Sequence, residues 1–540
     1  MKLAEHLYNE LYRRGVEHAF GIPGDFALSL WAALEQSPIK GVVLAHEPSC
    51  GFAADAYARV RGMGLALVTY GVGGLNMVNP AAQAYAEKSP LVIVSGSPGI
   101  RERRKNPLLH HKVKTFDTQR RIYEEVTRGA YLLDNPLTAD MKIQEALSLV
   151  ERYKQPVYIE VPRDMVFVEI PVHEAYQEPR ITDRGALLEA VEETVEMILH
   201  SEKPAILGCV EMHRFGLQKE LRQLAEMTGI PVAATMLGKG VFPEDHPLYM
   251  GIYVGGAGDK ETERYIEDSD CLLMLGTFLS DFNLGIFTAD LKPEYAVHAT
   301  SEQIQVRYHQ YHDVPLDEYI HELMASPRLN QRHFTHPVPR ELHPATHGEV
   351  TMDGVVEALN NFLQPHHMVV TDVGDCLFAG ADLQTRHTLG FLSPAYYLSM
   401  GFAVPGALGA QAADPKARPV VLVGDGAFQM TGMELICASR YGLNPIVLLL
   451  NNGGYGTLKI MNPESSYLDV PNIDYAAFGR LLGGDGFTVN TTEELKEALI
   501  QAEASSRFSL LDIHIPANDI SAILRGLGEA SRARIGVVTV

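Results

Sequence analysis

Short runs of aliphatic residues alternate with stretches of helical periodicity along the whole chain. Ten of these runs are continuously apolar and rich in β-branched side chains, a pattern typical of parallel strands that helices cover on both faces. The predicted strands are GVVLAH (41–46), LALVTY (65–70), PLVIVSG (90–96), PVYIEVP (156–162), PAILGC (204–209), PVAATM (231–236), CLLMLG (271–276), HMVVTDVG (367–374), PVVLVGDG (419–426) and PIVLLLNN (445–452). The pattern predicts an α/β protein built from mostly parallel sheets flanked by helices.

Two polar, proline-rich segments interrupt this alternation and predict linkers between domains. The first linker covers 171–189 and the second covers 326–349. They separate an N-terminal domain (1–170), a middle domain (190–325) and a C-terminal domain (350–540). Because 540 residues are too many for a single core, we expect three α/β units of ordinary domain size.

The composition narrows the class of protein. Hydrophobic residues make up 46% and charged residues 21% of the chain, as in ordinary globular proteins. The formal charge of −22 argues against a nucleic-acid partner, and an anionic ligand would need a local device such as a metal ion or a helix N-terminus. The sequence shows no signal-peptide pattern, no apolar run long enough to span a bilayer and no paired cysteine spacing. We therefore expect a cytoplasmic protein with no membrane partner.

A candidate metal site lies at the ends of two successive predicted strands. Asp425 follows the strand PVVLV, and Asn451 and Asn452 follow PIVLLL after one predicted crossover helix, QMTGMELICASRYG (429–442). One strand-helix-strand unit returns the chain to the same sheet edge, so Asp425 and Asn452 can converge across 27 positions. A carboxylate and an amide oxygen suit Mg²⁺, and Gly454 could add a carbonyl. Gly426 would let a diphosphate approach the backbone. A lone GDG is more often a plain turn, so the prediction depends on the combination.

This combination resembles the cofactor-anchoring motif of thiamine-diphosphate enzymes, GDG followed some two dozen residues later by NN. The resemblance implies the three-domain fold of that family, with thiamine diphosphate and Mg²⁺ as cofactors. It assigns the metal ligands to Asp425, Asn452 and the Gly454 carbonyl, and it places Gly426 and Ala427 beside the diphosphate. The stretch GDCLF (374–378) resembles a second diphosphate loop, which implicates Asp375 and Cys376.

The resemblance extends to the half of the site that activates the cofactor. That chemistry needs a carboxylate hydrogen-bonded to N1′ of the aminopyrimidine ring. The stretch AHEPSCGFAADAYARVRG (45–62) resembles the family's N-terminal pyrimidine-binding domain and assigns this role to Glu47, which would otherwise be taken for a solvated turn residue. Met400, 25 positions before Asp425, corresponds to the residue that wedges the cofactor into its bent conformation. The Leu398 carbonyl would hold the amino group.

Two further motifs indicate the branch of the family. GIPGDF (21–26) offers Asp25, and LLHHKVKTFDTQ (108–119) offers His110 and His111. Adjacent histidines in a loop are more often surface residues than catalysts. Here, however, the three residues fall where pyruvate and indolepyruvate decarboxylases place their proton-transfer groups, and histidine titrates near neutral pH. The resemblance implies non-oxidative decarboxylation of a 2-oxo acid to an aldehyde through an enamine held on the cofactor.

The chain departs from the pyruvate decarboxylases at the substrate pocket. Leu458 stands where those enzymes carry a glutamate, a substitution that phenylpyruvate decarboxylases share, and we hypothesise that Asp281 replaces the missing acid. Leu377 stands in place of a tryptophan, and Thr457 and Met461 replace branched aliphatic residues. These differences predict a pocket wide enough for phenylpyruvate or indole-3-pyruvate.

In the resembled family, the carboxylate of one subunit meets the metal site of another. A homodimer is therefore the expected minimum active unit, and a homotetramer is the expected assembly. Three rival interpretations stay open. A carboligating synthase similar to acetolactate synthase would use the same cofactor, and a non-catalytic paralogue would explain Leu458. A nicotinamide or flavin oxidoreductase would explain GVGGLN (71–76), although that stretch is not a clean G-x-G-x-x-G.

Overall fold

The computed structural model describes residues 1–173, 180–339, 347–386 and 389–535, with side chains up to Arg532. Parts of the two predicted linkers and the last five residues of the predicted C-terminal domain lie outside this range. Helix α8 (Arg184–His200) takes in the end of the predicted 171–189 linker.

The first sheet is fully parallel and has the strand order β2-β1-β3-β4-β6-β5. Every residue of its central strands β3, β4 and β6 is buried, because helices cover both faces of the sheet. The strands are β1 (His18–Gly21), β2 (Lys40–Val43), β3 (Gly64–Val68), β4 (Leu91–Ser97), β5 (Ala130–Leu132) and β6 (Val157–Pro162). The helices are α1 (Leu3–Arg13), α2 (Leu28–Leu34), α3 (Glu47–Arg61), α4 (Val72–Asn76), α5 (Val78–Ala86), α6 (Thr118–Glu124) and α7 (Ala139–Tyr153).

The middle sheet has the order β13-β12-β11-β10-β7-β8-β9 and is parallel except at one edge, where β12 runs antiparallel to both of its neighbours. The strands are β7 (Pro204–Gly208), β8 (Val232–Thr235), β9 (Tyr249–Tyr253), β10 (Cys271–Leu275), β11 (Ala296–Ala299), β12 (Ile304–Val306) and β13 (His309–Tyr311). The helices are α8 (Arg184–His200), α9 (Val210–Arg214), α10 (Gln218–Thr228), α11 (Lys260–Glu267) and α12 (Leu316–Met324).

The third sheet is again fully parallel, in the order β15-β14-β16-β17-β19-β18. The strands are β14 (His367–Thr371), β15 (Phe391–Leu392), β16 (Arg418–Gly424), β17 (Ile446–Asn451), β18 (Asp485–Val489) and β19 (Ser509–His514). The helices are α13 (Met352–Phe362), α14 (Asp375–Gly380), α15 (Ala403–Ala413), α16 (Asp425–Thr431), α17 (Leu435–Tyr441), α18 (Gly456–Lys459), α19 (Tyr475–Leu481), α20 (Thr492–Ala504) and α21 (Ala522–Ile535).

The three-sheet α/β architecture confirms the predicted fold class, and each of the ten predicted strands overlaps an observed strand. The predicted crossover helix 429–442 needs correction. It is two helices, α16 and α17, separated by a 3-10 turn at Gly432–Glu434. The ring of Phe428 lies 2.5 Å from the position that a Cβ on Gly432 would take, so the ring packs directly over the break.

The first and third sheets are joined by direct contact between helices α3 and α15. A Cβ on Gly409 would lie 1.9 Å from the carbonyl oxygen of Ala53, so the two backbones touch at that point. Beside it, the Arg59 guanidinium is buried between Asp55 and Glu87 and donates a hydrogen bond to the Ser393 carbonyl. This packing sets the position of the first sheet relative to the third.

The middle domain is attached to both neighbours by buried lysines. Lys239 pairs with Glu244 at 2.7 Å and donates to the carbonyl oxygens of Ala381 and Leu383 in the third domain. Lys88 of the first domain pairs with Glu211 of the middle domain at 2.9 Å. Among the described residues, no helix combines the length and the apolar character needed to cross a membrane.

Candidate active site

Asp425 stands at the edge of the third sheet where β16 and β17 end side by side. The two strands pair in parallel, with Gly424 opposite Leu450, as the crossover spacing predicted. The Asp425 carboxylate accepts hydrogen bonds from the backbone N–H groups of Gly426 (2.7 Å) and Gly453 (2.8 Å). Burial raises the pKa of Asp425, against the lowering effect of these hydrogen bonds. The strand ends therefore bring Asp425 to the loop that carries Asn452.

The two consecutive asparagines face in different directions. Asn451, the last residue of β17, is buried and donates through Nδ2 to Asp512 (2.9 Å) and Asn472 (3.1 Å). The Oδ1 atom of Asn452 accepts the N–H of Gly454 at 3.1 Å. Asn451 thus stabilises the interior, while Asn452 belongs to the loop at the sheet edge.

The residues at this edge fit a magnesium ion and a diphosphate. The carboxylate of Asp425, the amide oxygen of Asn452 and the carbonyl of Gly454 are the hard oxygen donors that Mg²⁺ prefers. A Cβ on Gly424 or on Gly453 would meet no atom within 4 Å, so open space borders the carboxylate on the side of both glycines. The site therefore has room for a ligand as well as donors for a metal.

The structure gives Gly426 a second reason for being glycine. A Cβ at this position would lie 2.5 Å from the ring of Tyr455, so a larger residue would collide with that ring. The following residue, Ala427, is buried in the core beside it. The missing side chain of Gly426 serves the packing of Tyr455.

The predicted second loop opens helix α14. Asp375 accepts hydrogen bonds from the N–H and the hydroxyl of Ser521, and burial raises the pKa of its carboxyl to about 6. Cys376 is buried, and its burial raises the pKa of its thiol. Gly374 has a φ of +99° and lies next to Thr457, whose Oγ1 is 3.4 Å from the position of a Cβ on that glycine. The start of α14 and the start of α18 are therefore neighbours.

A buried aspartate that the sequence interpretation missed holds the loop of Leu398 and Met400. Asp372 accepts hydrogen bonds from the N–H groups of Gly401 (3.0 Å) and Ala403 (2.8 Å), and burial raises the pKa of its carboxyl to about 6. Leu398 has a φ of +60°, a left-handed conformation that costs a non-glycine residue about 1–3 kcal/mol. Such strain at a position with a predicted carbonyl contact favours a functional role for the loop.

In the first domain, Glu47 begins helix α3 at the carboxyl end of β2. Its Oε2 atom accepts a hydrogen bond from Asn76 Nδ2 at 2.9 Å, and its Oε1 atom lies 3.5 Å from the position that a Cβ on Gly73 would take. Asn76, in the stretch GVGGLN, was not among the predicted site residues. Its amide occupies one carboxylate oxygen of Glu47 and orients the other.

The structure brings Asp25, His110 and His111 together in the first domain. His110 Nε2 lies 2.5 Å from Asp25 Oδ2, and His111 Nδ1 lies 3.9 Å from Asp25 Oδ1. The His110 ring stacks on Phe26 with centroids 4.8 Å apart. Desolvation acts to raise the pKa of Asp25, but the hydrogen bond from His110 and the nearby imidazoles outweigh it, so that the pKa lies below its ordinary value. Asp25 is therefore a carboxylate at neutral pH.

The histidine cluster and Glu47 lie around one turn, residues 69–74. A Cβ on Gly71 would lie 2.6 Å from the Cβ of His111, and a Cβ on Gly24, the neighbour of Asp25, would lie 2.5 Å from Thr69. Gly73 of the same turn is in contact with Thr69 and Glu47. The first sheet thus brings the predicted proton-transfer groups and the predicted cofactor-activating carboxylate to one edge.

The residues predicted to line the substrate pocket are less closely grouped than those around residues 69–74. Leu377 is 1% exposed and packs in the core, whereas Leu458 and Met461 are 46% and 55% exposed near α18. Asp281 lies on a loop of the middle domain and accepts the N–H of Phe282 at 3.0 Å. Phe282 stacks on Phe378 of α14 with centroids 5.8 Å apart, which places the loop of Asp281 against the helix that carries Leu377.

Three family models match the chain in the order of its domains. The N-terminal TPP binding domain of thiamine pyrophosphate enzymes matches residues 1–120, the central domain matches 191–326, and the C-terminal TPP binding domain matches 372–513. The matches fall on the three sheets described above.

Curated relatives match over nearly the full length. The chain is 39% identical to an indole-3-pyruvate decarboxylase of Azospirillum brasilense, with 97% of each chain covered. It is 29% identical to a probable pyruvate decarboxylase of Schizosaccharomyces pombe, covering 97% of this chain and 95% of the relative. It is also 29% identical to pyruvate decarboxylase isozyme 2 of Saccharomyces cerevisiae, with 96% of each chain covered.

Proposed function

The chain belongs to the thiamine pyrophosphate enzymes, and from this premise we propose that it decarboxylates an aromatic or bulky 2-oxo acid, phenylpyruvate or indole-3-pyruvate, to the aldehyde and carbon dioxide. The observation that carries the proposal is the placement of Asp25, His110 and His111 around the same turn as Glu47. Proton-transfer groups beside a cofactor-activating carboxylate are what this reaction requires. The 39% identity to an indole-3-pyruvate decarboxylase supports the same class of substrate.

The cofactors are thiamine diphosphate and Mg²⁺, and the donors at the third sheet fit them. Asp425, Asn452 and the Gly454 carbonyl would hold the metal, with Asp375, Cys376, Gly426 and Ala427 near the diphosphate. When bound, the cofactor supplies a nucleophilic carbon and accepts the electron pair that carbon dioxide leaves behind. In this proposal the domain 1–170 contacts the pyrimidine, 190–325 is the middle domain, and 350–540 holds the diphosphate.

Two elements of the chain orient the reacting groups. Glu47, with Oε2 held by Asn76, keeps Oε1 for a proton shared with the aminopyrimidine. The strained Leu398 presents its carbonyl from a loop fixed by Asp372, and Met400 supplies the wedge in the same loop. The hydrogen bonds of Asn76 to Glu47 and of the loop to Asp372 hold both groups in place, which preorganises the site.

The histidine cluster moves protons around the substrate. Nε2 of His110 donates a hydrogen bond to the Asp25 carboxylate. The other ring nitrogen, Nδ1, then exchanges a proton with the substrate. Histidine suits this role because its charge changes near neutral pH. Asp281 would replace the acid absent at Leu458, since its loop packs against α14.

A coupled aldehyde-reductase assay over a panel of 2-oxo acids tests the proposed function. The panel runs from pyruvate to phenylpyruvate and indole-3-pyruvate, with and without thiamine diphosphate and Mg²⁺. We expect cofactor-dependent aldehyde formation and a higher kcat/KM for the aromatic acids, because Leu377, Thr457 and Met461 replace larger or branched residues. A higher kcat/KM for pyruvate would contradict the assignment of substrate. Acetolactate formation without aldehyde would contradict the reaction.

The proposal includes a homodimer as the minimum active unit and a homotetramer as the assembly. Met430, Met433 and Ile436 follow Asp425 at intervals of three residues and are 54%, 51% and 46% exposed in the single chain. Val72, in the turn beside Glu47, is 59% exposed. Apolar surface of this extent next to both halves of the site suits burial against a second copy.

A cytoplasmic location is also part of the proposal, since all five cysteines are unpaired.

A further inference from the structure

The charge of the chain poses a problem for the substrate proposed above. A 2-oxo acid is an anion at neutral pH, and the chain carries 67 acidic against 45 basic residues, a net charge of −22. The long-range field of such a protein repels anions and slows their encounter with the site. A local group of cations near the entrance would reverse the sign of the field there.

Such a group is present in the loop that follows β4, residues 99–114. The loop carries six basic residues and one acidic residue, a local charge of +5 (six minus one). The basic residues are Arg101, Arg103, Arg104, Lys105, Lys112 and Lys114, and the acid is Glu102. We call this segment the basic loop.

The structure separates the charges that hold the basic loop in place from those that face solvent. Arg103 is half-buried and pairs with Glu160 at 2.7 Å, and Glu102 pairs with Arg163. Lys112 donates to the side chain of Asn106 at 2.6 Å. These contacts anchor the loop to β6 and fix its shape.

Four cations remain exposed. They are Arg101, Arg104, Lys105 and Lys114. Within the part of the chain that the structure describes, none of these four side chains forms a hydrogen bond or an ion pair. Their charge is therefore available to a passing anion.

The basic loop also carries the two histidines of the candidate site. His110 contacts Asp25, and His111 packs on Gly71 of the turn that reaches Glu47. The anchoring pair is part of the same cluster, because the Arg163 guanidinium lies 5.0 Å from the ring centroid of Phe26, on which His110 stacks. The exposed cations thus lie three to nine positions along the same loop from the histidines that would handle the substrate.

We propose that the basic loop is a capture element, which concentrates anionic 2-oxo acids at the histidine edge of the site against the negative charge of the rest of the chain. The inference rests on the proposed function, since it assigns the loop to the substrate of that site. Clusters of one sign beside a cleft raise the rate of encounter by about 10- to 1,000-fold, and the effect weakens as salt shortens the Debye length from about 30 Å to below 10 Å.

The test compares the holoenzyme with the variant Arg101→Gln/Arg104→Gln/Lys105→Gln/Lys114→Gln. We expect kcat/KM for phenylpyruvate to fall by about tenfold at low salt, with kcat preserved, because these side chains act on encounter and not on chemistry. The wild-type kcat/KM should decrease as sodium chloride is raised, whereas that of the variant should change little or increase.

A matched control distinguishes the effect of charge in the basic loop from the effect of the net charge of the chain. The variant Lys219→Gln/Lys292→Gln/Lys416→Gln/Lys496→Gln removes four exposed lysines elsewhere and reaches the same net charge. It should keep the wild-type kcat/KM and salt dependence. If both quadruple variants behave alike, the basic loop has no capture role. If the wild type forms no aldehyde at all, the proposed function itself fails.

Folding is checked by circular dichroism. If the quadruple loop variant does not accumulate as folded protein, Arg104→Gln/Lys105→Gln tests the same point with a smaller expected loss of kcat/KM. An unchanged salt dependence in that double variant would also contradict the proposal.

Discussion

At the scale of single residues, buried carboxylates hold the loops of the candidate site. Asp372 accepts the backbone N–H groups of Gly401 and Ala403, and Asp425 accepts those of its neighbour Gly426 and of Gly453 in the loop after β17. Burial raises the pKa of both carboxyls, since desolvation outweighs those hydrogen bonds. The hydrogen bonds that position these loops therefore depend on the protonation states of Asp372 and Asp425.

The raised pKa of Asp372 predicts a specific pH dependence of stability. The folded protein holds this proton up to about pH 6, whereas the unfolded chain releases it near 3.8. The stability that protonation contributes is thus complete below pH 3.8 and is lost as the pH rises to about 6, by at most about 3 kcal/mol. Asp372→Asn cannot titrate, so its melting temperature should improve relative to wild type across this range.

Differential scanning fluorimetry of both proteins from about pH 4 to pH 7 measures this shift. The exposed Asp353 provides the control, because Asp353→Asn makes the same chemical change elsewhere in the third domain. A constant offset between Asp372→Asn and the wild type over this pH range would show that the pKa of Asp372 is not raised.

A single substitution tests the proposed role of Asp281. We expect Asp281→Ala to lower kcat for phenylpyruvate by about 100-fold, the usual contribution of a general acid or base. Asp290→Ala, an exposed change on the following stretch of the same loop, should leave kcat unaltered. Near-native turnover in Asp281→Ala, measured in the coupled aldehyde assay, would exclude Asp281 from the mechanism.

Some residues of the site could be predicted from the sequence and others could not. Asp425 and Asn452 follow apolar strands at crossover spacing, and the parallel pairing of β16 and β17 confirms that these strand ends adjoin. Asn76 and Asp372 carry no comparable pattern, because their importance depends on hydrogen-bond partners 29 and 31 positions away in the sequence. The packing of Tyr455 against Gly426 could not be predicted either, since only the structure brings the two residues together.

At the scale of elements, the predicted strands were those with long apolar runs. Most of the strands that were missed are short or lie at sheet edges, such as β1 and the half-exposed β13. The exception is β19, a six-residue buried strand inside the third sheet whose apolar run is interrupted by Asp512. They form because neighbouring strands pair with them, which local pattern does not reveal. The crossover from β16 to β17 was predicted as one helix because periodicity alone cannot detect a 3-10 turn beneath an aromatic ring.

The contact between α3 and α15 is so close that the addition of a single methyl group should disrupt it. Gly409→Ala would place a Cβ 1.9 Å from the Ala53 carbonyl oxygen, and a backbone atom cannot rotate away. We expect a loss of about 3 kcal/mol of stability and partial separation of the first and third domains. Urea denaturation followed by tryptophan fluorescence measures the loss.

Gly185→Ala is the matched control for this substitution. Gly185 is also a helical glycine, in the first turn of α8, and the nearest atom to its Cβ position is a side-chain oxygen at 3.3 Å. It should be neutral or slightly stabilising, because alanine has the higher helix propensity. Equal stability of the two variants would show that the helices are not in close contact at Gly409.

At the scale of the whole molecule, charge and assembly are linked to the proposed chemistry. The excess of acidic residues makes the basic loop the local exception through which an anion could approach. Exposed apolar side chains lie near both halves of the site: Met430, Met433 and Ile436 follow Asp425, and Val72 lies beside Glu47. Both halves therefore adjoin surface suited to a second chain. We propose on this basis that one active site draws Glu47 and Asp425 from different subunits.

Mixed assemblies of two inactive variants test this proposal most directly. Glu47→Gln and Asp425→Asn chains, carrying different affinity tags, are expressed together and purified through both tags. Each variant alone should form almost no aldehyde from phenylpyruvate with thiamine diphosphate and Mg²⁺ present. In a mixed dimer, the intact Glu47 of one chain meets the intact Asp425 of the other, so aldehyde formation should return. Mixed assemblies as inactive as their parents would contradict a site shared between subunits.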